Sequence, residues 1–144
     1  MQRRVAFLFG SSQYDDCKLS GLNGPRADVE GLAEILRAPA LGSFAVEVLV
    51  NRTMAEVMRA VGRFFRSAER DDLVLFYFSG HGMLDESRQL FFACSDTQVE
   101  LLAATAMPAS FVNGEMKRCR ASSQVLVLDC CHGGAFSGAK GALG

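Results

Sequence analysis

The sequence predicts an α/β fold of three layers, with a mostly parallel central sheet and helices on both of its faces. Three observations lead there. Strand-length apolar runs ("VAFLF", "LVLFYF", "VLVL") end in glycine or polar residues. Longer segments between them carry apolar residues at helical spacing. The two kinds of element alternate along the chain, as they do in βαβ units that build parallel sheets.

Taken in order, "RRVAFLFG" is a short apolar run closed by glycine, a buried strand. "SSQYDDCKLSGLNG" is polar and glycine-rich, hence a loop. "PRADVEGLAEILRA" opens on Pro25, which suits a first helical turn. Its Val29, Leu32, Ile35 and Leu36 are expected to form one apolar stripe. "FAVEVLV" is a second strand. "TMAEVMRAVGRFFRSA" starts with Thr53 as N-cap and has Glu56 three residues on, the capping-box pattern. Val57, Val61, Phe64 and Phe65 then make its buried face. "DLVLFYFS" is apolar on both faces, as strands in the middle of a helix-covered parallel sheet are. "QLFFACSD" is a shorter strand, "SFVNGEMKRCR" a short helix and "QVLVLDCC" the last central strand. No repeat, low-complexity segment or linker divides the 144 residues, so they form one domain, or most of one.

With 49% hydrophobic and 22% charged residues, the composition is that of a soluble globular protein. A net charge of −1 gives no electrostatic case for nucleic acid or a membrane surface as partner. No run approaches the roughly 18 apolar residues of a membrane span. "VAFLF", behind Arg3 and Arg4, is too short for a signal-peptide core. The five cysteines are odd in number and two are adjacent, a poor disulfide framework. A reducing, cytoplasmic setting is therefore expected. The acidic pairs Asp15–Asp16, Asp71–Asp72 and Asp85–Glu86 lack the pattern of a calcium loop and read as solvated turns.

In open α/β sheets, ligands bind beyond the carboxyl ends of the strands. Two central strands end in chemistry there: "LVLFYFSGHG" (73–82) in a glycine-flanked histidine, and "VLVLDCCHGG" (125–134) in two cysteines and a histidine. Neighbouring strands stand about 4.8 Å apart, so His81 could meet cysteines 50 residues further on. The thiolate is the reactive form of cysteine. An imidazole beside it can take the thiol proton and later protonate a leaving amine. Gly80, Gly82 and Gly133 leave backbone N–H groups accessible to a developing oxyanion. Side-chain alternation gives Val125, Val127, Asp129 and Cys131 one face and Leu126, Leu128 and Cys130 the other. Cys131, at the glycine-rich end, is the candidate nucleophile, and Cys130 a packing residue. Cys17, Cys94 and Cys119 have no partners at informative spacing and read as structural. Three consecutive residues such as Cys130, Cys131 and His132 cannot readily address one ion, because zinc sites space their ligands. No metal or other cofactor is expected.

These stretches resemble the caspase–metacaspase clan of cysteine proteases. "FYFSGHG" is similar to its histidine motif and "LVLDCCHGG" to the metacaspase cysteine motif, D-x-C-x-x-G. The gap between them matches the roughly 50 residues known for caspases. "VAFLFGSSQY", "LNGPRADVEGLAEIL" and "FFACSDT" extend the resemblance along nearly the whole chain. It departs where Gly133 stands in place of a frequent serine, and at Pro25 and Ala27. The resemblance implies a caspase-like fold and a cysteine endopeptidase. His81 would be the general acid/base, Cys131 the nucleophile, and the N–H groups of Gly82 and Cys131 the oxyanion hole. Asp129 and Asp28 would lie in the S1 pocket. Residues 1–144 would be the large-subunit portion of a zymogen, its partner a small subunit from the same precursor. Calcium activation occurs in such enzymes, but the sequence offers no site for it.

Cleavage after Arg or Lys is expected of a protein or peptide substrate. Asp129 shares a strand face with Cys131, so its carboxylate would attract a basic P1 side chain and repel an acidic one. Aspartate-cleaving caspases have glutamine at that place. They also draw a base from the loop before the first helix, where this chain has only Arg26, expected to face solvent. The alternative is a catalytically silent caspase-like module for protein interaction. Such members of the clan usually lack the histidine or the cysteine, and this chain keeps both. A flavodoxin-like binding domain would need an anion-cradling loop after the first strand, and "GSSQYDD" is too acidic for one.

Overall fold

The computed structural model describes residues 2–130. In chain order the elements are β1 (Arg4–Gly10), α1 (Gly24–Arg37), β2 (Ala45–Val50), α2 (Met54–Ser67) and β3 (Leu73–Gly80). There follow β4 (Gly82–Leu84), β5 (Leu90–Phe92), a 3₁₀ turn (Val99–Leu101), α3 (Leu102–Thr105), β6 (Met107–Pro108), α4 (Ala109–Arg118) and β7 (Ser123–Cys130). The central sheet has the order β2-β1-β3-β7 and is parallel throughout. β4, β5 and β6 form a separate antiparallel sheet.

β1 and β3 are apolar on both faces because both faces are covered. Phe7, Phe9, Phe76 and Phe78 point to one side, where Val57, Val61, Phe64 and Phe65 of α2 and Val112 of α4 close over them. The rings of Phe7 and Phe76 stack 5.6 Å apart. Burying one such side chain contributes about 1.5–3 kcal/mol, and Phe7, Phe9, Phe65, Phe76, Phe78 and Phe92 are all essentially inaccessible. This aromatic layer is therefore the main anchor of the fold. On the other side Ala6, Leu8 and Tyr77 pack against Val29 and Ala33 of α1.

The predicted capping box forms: Glu56 N–H donates to the Thr53 hydroxyl at 3.3 Å, and Thr53 N–H donates to the Glu56 carboxylate at 3.2 Å. Other expectations need correction. Ile35 is 53% exposed; Val29, Leu32, Ala33 and Leu36 make the inward stripe of α1. Positions 29, 32, 33 and 36 follow the i, i+3, i+4, i+7 pattern, which 35 leaves. The short strand expected in "QLFFACSD" does form, as β5 of the small sheet. Asp72 is no solvated turn residue: it is 3% exposed, accepts from Arg3 at 2.6 and 3.1 Å, and accepts from Glu69 N–H at 2.7 Å. Cys17 is exposed and has no packing role of the kind Cys94 has in the core. Among the described residues, no helix is long and apolar enough to cross a membrane.

Candidate active site

The site begins where β3 ends. In the β3–β7 register Ser79 lies opposite Asp129 and Gly80 opposite Cys130. Gly80 is required by close approach, since a Cβ there would come within 2.8 Å of the Ser11 carbonyl oxygen and 2.9 Å of the Phe78 ring. His81 follows directly and is only 6% exposed.

The β1–α1 loop holds this histidine. His81 Nε2 hydrogen-bonds the carbonyl oxygen of Ser20 at 2.8 Å. A carbonyl oxygen can only accept, so Nε2 carries a proton, and in the neutral ring Nδ1 holds the lone pair. The backbone N–H of His81 donates to the Tyr14 hydroxyl at 3.1 Å, and that hydroxyl donates to the Ser11 carbonyl at 2.6 Å. The Tyr14 ring packs 5.1 Å from the imidazole. The carbonyl of His81 accepts from Ala93 N–H at 3.0 Å. This last bond makes Gly82 and Phe92 a non-hydrogen-bonded pair of the β4–β5 ladder, so the Gly82 N–H is directed away from β5. Tyr14 and Ser20 escaped the sequence reading; an aromatic residue in an otherwise polar loop was the one signal for either.

β7 divides as the alternation predicts. Leu126, Leu128 and Cys130 pack against the aromatic layer, whereas Val125 and Val127 are 44% and 40% exposed. Asp129 shares the exposed face. Cys131, with its thiol and its backbone N–H, lies outside the described residues, as do His132 and Gly133.

Both S1 candidates reach the carboxyl end of β3. The Tyr77 hydroxyl donates to Asp129 Oδ2 at 3.2 Å, and the Ser79 hydroxyl donates to Asp28 Oδ2 at 3.3 Å. β3 thus offers one hydroxyl to a carboxylate from β7 and one to a carboxylate from α1. Among the described residues neither Asp28 nor Asp129 has an ion-pair partner, so the local field is negative. Burial, with the two carboxylate charges adding to it, pushes the Tyr77 phenol up to about 12. Arg26 faces solvent, 55% exposed and 3.8 Å from Glu30.

The acidic pair Asp15–Asp16 joins loops. Asp16 accepts from the N–H groups of Lys18 at 2.9 Å and Val99 at 2.8 Å, which holds its carboxyl below the usual range, and Lys18 pairs with Glu100. Among the described residues, no group of three or more His, Cys, Asp or Glu side chains is arranged to hold a metal ion.

The fold is that of a caspase-type α/β domain. The profile of the caspase domain matches residues 3–142, and the chain belongs to that family of cysteine proteases. Solved structures share the fold. Caspase-1 from Spodoptera frugiperda is 19% identical with a TM-score of 0.70, over 90% of this chain and 48% of that one. The structure of pro-sf-caspase-1 is 18% identical with a TM-score of 0.71, over 91% and 52%. A protein from Geobacter sulfurreducens is 24% identical with a TM-score of 0.69, over 90% and 50%. The chain therefore spans about half the length of these structures. No curated protein matches it.

Proposed function

We propose that the chain is the large-subunit portion of a cysteine endopeptidase that cleaves after Arg or Lys. The observation that carries this reading is the β3–β7 register. Gly80 lies opposite Cys130, and one step further along each chain come His81 and Cys131. Neighbouring parallel strands stand about 4.8 Å apart, a spacing at which an imidazole and a thiol from adjacent strand ends can meet.

His81 Nδ1 takes the thiol proton, and the Cys131 sulfur attacks the scissile carbonyl carbon. The oxyanion that develops is met by the N–H groups of Gly82 and Cys131. The imidazolium then protonates the leaving amine, and water, activated by the same nitrogen, hydrolyses the thioester. Membership of a cysteine-protease family supports the reaction class. The carboxylates of Asp28 and Asp129, which have no ion-pair partner among the described residues, support a basic P1, because a guanidinium offers them charge-assisted hydrogen bonds and a P1 carboxylate meets repulsion. The exposed Val125 and Val127 of β7 give a small subunit from the same precursor an apolar strip to cover.

Treating the whole protein with a peptide carrying an electrophilic ketone after a P1 Arg, and mapping the adduct by mass spectrometry, tests this. The adduct is expected on Cys131. An adduct on Cys130 would reassign the nucleophile, and a folded protein that takes no label would contradict the basic-P1 protease reading.

A further inference from the structure

Asp129 lies on the exposed face of β7, where an aspartate side chain would ordinarily sample several rotamers. Here one of its oxygens is held from β3: the Tyr77 hydroxyl donates to Oδ2 at 3.2 Å. Tyr77 is a rigid anchor. It is 7% exposed, and its ring packs with Ala6, Leu8, Val29 and Ala33 beneath α1. In the register Tyr77 lies opposite Val127, so its hydroxyl reaches Asp129 by running diagonally along the strands. A phenol pushed up to about 12 stays protonated at neutral pH, and the hydroxyl remains a donor.

From this geometry we propose that Tyr77 is a positioning residue for P1 recognition: its hydroxyl fixes the Asp129 carboxylate and leaves Oδ1 to the incoming cation. The inference rests on the reading of Asp129 as a P1-pocket residue. Tyr77 touches no substrate. It acts by selecting one carboxylate orientation, which favours a planar guanidinium over a neutral group of the same shape.

The test compares the whole protein with its Tyr77→Phe variant on two peptides that differ only at P1, one with Arg and one with citrulline. Phe keeps the ring and its packing and removes only the donor. A hydrogen bond to a charged group is worth a factor of about ten or more. KM for the Arg peptide should rise about tenfold in the variant with kcat little changed, while the citrulline peptide is cleaved as before. In an Asp129→Asn background, Tyr77→Phe should leave the Arg:citrulline ratio unmoved, because the charged acceptor is gone. Equal loss on both peptides, or the same loss of Arg preference in the Asp129→Asn background, would overturn the proposal. A wild type that prefers Arg and a Phe variant that keeps that preference would overturn it too. If the wild type does not distinguish Arg from citrulline, the basic-P1 reading itself fails.

Discussion

His81 donates through Nε2 to the carbonyl oxygen of Ser20 at 2.8 Å, so the loop between β1 and α1 chooses the tautomer of the histidine at the end of β3. Nitrogen-15 NMR of the protein with its imidazoles neutral should show Nε2 of His81 protonated and Nδ1 bare. A spectrum with the opposite tautomer would remove Nδ1 as the base.

The same loop supports the backbone of His81. Replacing Tyr14 by Phe removes the hydroxyl that accepts from the N–H of largely buried His81. That costs about 1–3 kcal/mol. Urea unfolding should register the loss, and if His81 is the general base proposed above, kcat should fall more than KM rises.

Gly80→Ala should be more damaging. Its Cβ would press on the Ser11 carbonyl and the Phe78 ring, at 2.8 and 2.9 Å. Overpacking of this kind costs about 1–3 kcal/mol, and relief must shift the backbone that carries His81. Loss of activity with a lowered melting temperature is expected; a variant of wild-type stability would show that the approach is looser than this geometry.

Asp72 links acid stability to the N-terminal strand. The hydrogen bonds from Arg3, more than any other contact, hold its carboxyl below the ordinary value of 3.8. A depressed carboxyl stabilises the folded state above the ordinary value, and the contribution fades as pH falls through the lowered one. Asp72→Asn should therefore lower the urea midpoint at pH 7, and the gap from wild type should close in strong acid. A gap that persists unchanged at low pH would assign the effect to packing.

The phenylalanine runs of β1 and β3 could be read directly, because strands covered on both faces have no polar positions to break the pattern. The helix α2 was equally legible, since Thr53 and Glu56 signal through contacts only three residues apart. β4 and β6, of three and two residues, are too short to leave any periodicity. Long-range pairing hid the rest. Arg3 and Asp72 are 69 positions apart, Tyr14 and His81 67, and Tyr77 and Asp129 52. Nothing local to Tyr77 distinguishes it from the strand residues around it. Its hydroxyl acquires meaning only when β7 is laid beside β3.

The most direct test of the basic-P1 protease reading assays the whole protein on two fluorogenic peptides identical except at P1, one Arg and one Asp. Wild type should cleave the Arg peptide and leave the Asp peptide essentially untouched. Asp129→Ala should lose the Arg preference by about 10- to 100-fold, the worth of a charge-assisted contact. Cys131→Ala should cleave neither. Faster turnover of the Asp peptide by wild type, or an Asp129→Ala variant with its Arg preference intact, would contradict the account.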